Sequence, residues 1–141
     1  MHIVQGMNIM NLSEIIKITV NPIIIGMNPT KAKYRKGCAW YRLQDWIDEL
    51  DIGMVAFTNL SHDPYWDKKT VDIAYVRESA RPHGKVIALG GLVSKVLSGL
   101  SIDHYTLPHP SPLNRQINDD DFINMKLKEC KRYLSDEPEL Y

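Results

Sequence analysis

The sequence predicts a three-layer α/β domain built on four parallel strands. Short apolar runs rich in β-branched residues recur along the chain, amphipathic helical stretches alternate with them, and several runs end on Gly or Asn. Strands that alternate with helices pair in parallel through right-handed crossovers, which puts helices on both faces of the sheet. Residues 18–25 read as the first buried strand, closed by Gly26. Residues 40–50 carry Leu43, Trp46, Ile47 and Leu50 at the spacing of one helical face, which makes Trp46 a core residue. Residues 54–57 form a second apolar run that ends at Thr58-Asn59, and residues 68–80 are a weaker helical stretch. Residues 86–89 form the third strand, before Gly90-Gly91, and residues 92–97 a short helix. Residues 102–107 form the fourth strand. Residues 119–134 close the chain as an amphipathic helix, packing through Phe122, Met125, Leu127, Cys130 and Leu134.

At 141 residues the chain fits a single domain, with its core from about residue 18 to 134. No apolar run approaches the roughly 20 residues that span a bilayer, because Pro22 and Gly26 interrupt the best one. Residues 1–10 show neither a basic opening nor a small-residue cleavage site, so no secretory leader is expected. Cys38 and Cys130 are too few for a disulfide framework, a four-cysteine zinc site or an iron–sulfur cluster. The expected setting is cytoplasmic or nucleoid-associated, the expected state a monomer, and neither cofactor nor metal is expected. With 17 basic and 17 acidic residues, a strongly cationic nucleic-acid binder is disfavoured, though a local patch is compatible. Lys31, Lys33, Arg35, Lys36 and Arg42 cluster after the first strand, whereas Asp45, Asp48, Glu49, Asp51 and Asp119 to Asp121 lie on helical stretches.

Two proline-stiffened loops carry the chemistry. Gly26-Met27-Asn28-Pro29 follows the first strand, and Leu107-Pro108-His109-Pro110-Ser111-Pro112-Leu113-Asn114-Arg115 follows the fourth. Proline fixes φ and removes a donor, so such loops hold shape without regular structure. Open parallel sheets bind ligands at the carboxyl ends of their strands. Asn28, Asn59 and His109 therefore converge on one crevice in this reading, and the chain reads as an enzyme. His62, His83 and His104 follow no metal-ligand spacing and read as ordinary hydrogen-bonding or surface histidines. Tyr65-Trp66 reads as either a packing loop or a nucleic-acid contact, and Cys38 has no partner base.

These residues resemble the uracil-DNA glycosylase superfamily. Gly26-Met27-Asn28-Pro29 is similar to its first active-site motif, nearest to the G-M-N-P-G of the single-strand-selective monofunctional branch and the G-I-N-P-G of the mismatch-specific branch. The run from His109 to Asn114 resembles the second motif, H-P-S-P-x-N. Between them, Phe57-Thr58-Asn59-Leu60 is similar to the strand-end asparagine element, and Gly37-Cys38-Ala39-Trp40 to the G-x-x-F element that supplies an aromatic platform. Each motif is weak alone, but four in family order, spaced for one α/β domain, are far more specific.

The resemblance implies hydrolysis of the N-glycosidic bond of uracil or a 5-substituted uracil in DNA, by base flipping and without lyase chemistry. It casts Asn28 as the residue that positions water and His109 as the donor to the departing base. Met27, Thr30, Trp40 and Asn59 would line the base pocket. Ser111, Pro112, Leu113, Asn114, Arg115 and Lys31 would contact DNA, with Leu113 filling the vacated stack and the amides of Ser111 and Leu113 facing phosphate. Thr30 departs from the pattern, standing where those two branches carry glycine and the main branch tyrosine; this position faces C5 of the base. Trp40 replaces a phenylalanine. The base preference is thus left open among uracil, 5-hydroxymethyluracil and other 5-substituted pyrimidines. Two other classes fit the same residues: a non-catalytic module that binds modified bases or DNA, and a hydrolase of free nucleosides or nucleotides.

Overall fold

The computed structural model describes residues 21–27, 39–62 and 71–135. Within them lies a four-stranded, all-parallel sheet in the order β2-β1-β3-β4, comprising β1 (Ile23–Gly26), β2 (Ala56–Asn59), β3 (Val86–Leu89) and β4 (Tyr105–Leu107). Four α-helices complete the three layers: α1 (Ala39–Leu50), α2 (Ile73–Ala80), α3 (Gly91–Gly99) and α4 (Asp120–Ser135). The fold class read from the sequence is thus the fold observed.

The strand order dictates which face each helix covers. From β1 the chain moves outward to β2, then returns past β1 to β3 and continues to β4. A right-handed crossover puts its helix on opposite faces for opposite directions of travel. Accordingly α1 packs on one face and α2 and α3 on the other, each building its own core. Leu43, Trp46 and Leu50 of α1 join Ile123, Leu127 and Cys130 of α4 over Ile24, Ile87 and Leu89. Val76, Ala80, Val93 and Leu97 cover Ile23, Ile25, Val86 and Ala88. β1 and β3 are buried at every position, as strands covered on both faces must be, which explains their unbroken apolar runs.

Local chemistry sets the ends of the elements. Asp72 caps α2 by accepting from the Tyr75 amide at 3.0 Å, and Asp119 accepts from the Phe122 amide at 3.1 Å at the start of α4. Asp120 and Asp121 in the first turn of α4 favour its positive dipole end. Burial pushes the Cys130 thiol up to about 12, so it serves as a small core hydrophobe.

Several boundaries differ from expectation. β1 begins at Ile23, after Pro22, which has no N–H to give a ladder; residues 18–20 lie outside the described residues. β4 starts at Tyr105 because the backbone before it finishes α3: Ser101 adopts φ 59° and the Ile102 amide donates to Leu97. α2 is shorter than residues 68–80, since Val71 pairs in an isolated antiparallel bridge with Ser61. On α4, Met125 is exposed and Ile123 takes the core position in its place. A 3-10 turn (Arg115–Asn118), not anticipated, joins the proline loop to α4 and buries Ile117.

Candidate active site

β1 and β3 lie side by side while their connections leave in opposite directions. In open parallel sheets such a divergence at the carboxyl edge is where a ligand crevice is expected. Two glycines floor it. Gly26 ends β1 opposite Asn59 of β2, and pairing continues past them through Leu60 N–H to the Gly26 carbonyl (2.9 Å) and Ser61 N–H to the Met27 carbonyl (3.1 Å). A Cβ at Gly26 would stand 2.7 Å from Asn59 Oδ1 and 3.3 Å from Phe57 Cζ, so the Asn59 amide reaches across bare backbone. Gly90, with φ +91°, turns β3 into α3; a Cβ there would meet His109 Cβ at 3.3 Å. Asn59 therefore leans inward from β2 over the end of β1, and His109 from beyond β4 over the end of β3. The backbones beneath them are neighbours, about 4.8 Å apart.

The His109 loop is locked from within. Pro108 and Pro110 are buried on either side of the half-buried imidazole. The Ser111 amide donates to His109 Nδ1 at 3.1 Å. An acceptor Nδ1 on a neutral ring leaves the proton on Nε2. Burial lowers the pKa of His109, which favours that neutral form. Asn114 Nδ2 donates to the His109 carbonyl at 2.9 Å while Asn114 Oδ1 accepts from the Gln116 amide at 3.2 Å. Ser111 Oγ accepts from the Leu113 amide at 3.2 Å. The amides of Ser111 and Leu113 are thus engaged inside the loop, which corrects their reading as phosphate donors. Pro112 and Arg115 are exposed, and Leu113 projects from the turn at 91% exposure.

Trp40 sits in the first turn of α1, with its ring edge-to-face with Phe57 at 5.8 Å and 86°. Phe57 is two residues before Asn59, on the same side of β2, and borders Gly26. Sequence reasoning missed Phe57 as part of the site; its half-exposure on a strand bearing Asn59 at the next same-face position was the available signal. Asn28, Thr30, Lys31, Cys38, Tyr65 and Trp66 lie outside the described residues, and Met27 is half-buried at the end of β1.

The other histidines have ordinary partners. His104 donates from Nδ1 to the Ile102 carbonyl and accepts at Nε2 from Ser94 Oγ, both at 2.8 Å. His83 Nδ1 lies 2.6 Å from the Asn21 carbonyl. Among the described residues no group of His, Cys, Asp and Glu is placed to hold a metal ion, and no helix there is long and apolar enough to cross a membrane.

Comparison with models of known families, with curated proteins and with solved structures finds no match.

The double use of Asn114 gives a first prediction. Asn114→Ala removes the bond to the His109 carbonyl and the cap of the 3-10 turn together, and is expected to cost about 1–2 kcal/mol of stability. Chemical denaturation measures it; an unchanged midpoint would show that the loop holds its shape without this side chain.

Proposed function

We propose that the chain is a monofunctional DNA glycosylase that removes uracil or a 5-substituted uracil and leaves an abasic site. One observation carries the reading: an imidazole whose Nδ1 accepts from a main-chain amide, leaving Nε2–H as the donor, packs on Gly90 at the end of β3, the strand next to β1, whose end Asn59 crosses at Gly26. Breaking the bond between C1′ and N1 leaves an oxocarbenium-like sugar and sends the bonding pair into the base, where charge gathers on O2. A preorganised donor in a partly dry site lowers the energy of that anion. His109 Nε2–H fills the role and keeps its proton as a hydrogen bond to O2. Asn59, with one acceptor and two donors, suits the N3–H and O4 edge of uracil and mismatches cytosine.

The family resemblance supplies the remaining roles. Asn28 orients the water that adds to C1′, the water's proton passing to solvent, and Trp40 offers a ring face to the extruded base. Met27 and Thr30 border the pocket, Thr30 toward C5. Ser111, Pro112, Asn114, Arg115 and Lys31 lie along the DNA, and the exposed Leu113 occupies the gap that the base leaves.

The deciding experiment uses oligonucleotides that differ only at pyrimidine C5, single- and double-stranded, incubated with protein and then treated with alkali. Strand breakage at uracil or a 5-modified uracil is expected. No breakage for any base, or faster hydrolysis of free nucleosides than of oligonucleotides, would overturn the reading.

A pH dependence follows from His109. The unfolded chain binds this proton at the ordinary value of 6.5, and the folded chain only at a lower pH. The neutral ring therefore contributes stability that is complete above 6.5 and lost as pH falls through the lowered folded value. Protonation also turns Nδ1 into a donor facing the Ser111 N–H. Base release should be level above the ordinary histidine range and decline below it. Single-turnover rates across acidic pH check this; a rate that rises on acidification would mean that the imidazolium is the working form.

A further inference from the structure

We propose that His62 and Tyr75 form a second, stacking subsite for a nucleobase next to the one held in the crevice. The inference rests on the reading of that crevice as a pocket for one base of a polynucleotide. The two rings meet edge-to-face with centroids 4.6 Å apart, inclined at 65°, and both residues are exposed. In such a pair the ring that presents its edge does not have its faces covered by its partner, unlike a stacked pair.

Tyr75 is held in advance at its hydroxyl and at its backbone. Its hydroxyl is 2.8 Å from Thr58 Oγ1, and its backbone amide donates to Asp72 Oδ1 at 3.0 Å as part of the α2 cap. A ring fixed this way loses little freedom when a ligand stacks on it. Its position ties it to the crevice. Thr58 immediately precedes Asn59 on β2, and His62 follows Asn59 by three residues, a chain reach of about 10 Å. Thr58 and Asn59 point to opposite faces of β2, an outer strand among the described residues, so the rings flank the strand end on the side away from Phe57. A strand whose base lies over Gly26 would leave the crevice across that end. Stacking on aromatic faces tolerates any base and needs no cation, which suits a chain of zero net charge.

The test measures binding, not excision, by fluorescence anisotropy. The probe is a short single-stranded oligonucleotide with a non-cleavable deoxyuridine analogue at its centre, made with every base or with an abasic spacer on one side of the analogue. For the wild-type chain, one of the two spacers should weaken binding about 5-fold or more. Tyr75→Ala should bind the complete oligonucleotide that much more weakly and be indifferent to the spacer. His62→Ala, at an exposed position, should act in the same direction, and Tyr75→Phe should keep most of the coupling. Equal wild-type affinity for the complete and both spacer probes would overturn the subsite, as would spacer sensitivity undiminished in both alanine variants. Excision of uracil with no such coupling removes the subsite and leaves the glycosylase reading standing. Coupling without excision does the reverse.

Discussion

Replacing His109 by alanine is expected to slow base release by roughly 100- to 1,000-fold, the usual effect of removing one preorganised donor to a developing anion. The fold should survive, because the imidazole stands at the crevice, outside both hydrophobic cores. The Ser111 amide loses its acceptor, but Ser111 is only half-buried and water can replace the ring there. His109→Gln should fall between the two, since it retains an N–H that no main-chain contact aims. Single-turnover excision with enzyme in excess separates the chemical step from product release. A His109→Ala rate within a few-fold of wild type would show that the charge on the base is stabilised elsewhere, and the proposed mechanism would fail.

The second large effect is expected from one added methyl group. In Gly26→Ala the new Cβ would stand 2.7 Å from Asn59 Oδ1, closer than real contacts allow, and 3.3 Å from Phe57 Cζ. The nearest atom is the tip of a short side chain, so the strand can stay and the amide must swing away. Stability should change by no more than about 1 kcal/mol. Excision should drop roughly 10- to 100-fold, as expected when the hydrogen bonds to the base edge are lost. Discrimination between uracil and cytosine should narrow as well. The variant pair Gly26→Ala and Asn59→Ala tests the cause: with Asn59 already truncated, the methyl group should cost little more. Additive losses would mean that Gly26 matters for another reason, such as close approach of the substrate itself.

The sheet was legible because its two central strands are covered on both faces and so display unbroken apolar runs, all β-branched in residues 23–25 and half so in residues 86–89. α1 was legible from the spacing of Leu43, Trp46 and Leu50, all of them buried. The fourth strand was over-read because Ile102 looks like strand but closes α3, a choice made by the positive φ of Ser101 that no apolar pattern signals. Met125 was misplaced because neighbouring Ile123 and Leu127 satisfy the same helical stripe. At the candidate site, the motifs brought forward Asn59 and His109, and the strand ends account for where both lie. The lock on His109 was not legible: it depends on which way one amide of a proline-rich loop faces, which the identity of Ser111 does not encode. Phe57 was hidden by its membership of an apolar run that resembled ordinary core.

Because the donor that sets the imidazole's tautomer is a peptide N–H, its instruction is carried by the polymer itself and not by any genetically interchangeable group. Alanine, cysteine or threonine at 111 would each leave it in place, and of the encoded residues only a third proline between Pro110 and Pro112 would erase it. The arrangement is therefore insulated from most point mutations at that position. Probing it calls for backbone chemistry, in which a single amide-to-ester exchange at 111 removes one hydrogen and lets the ring choose its own protonation site.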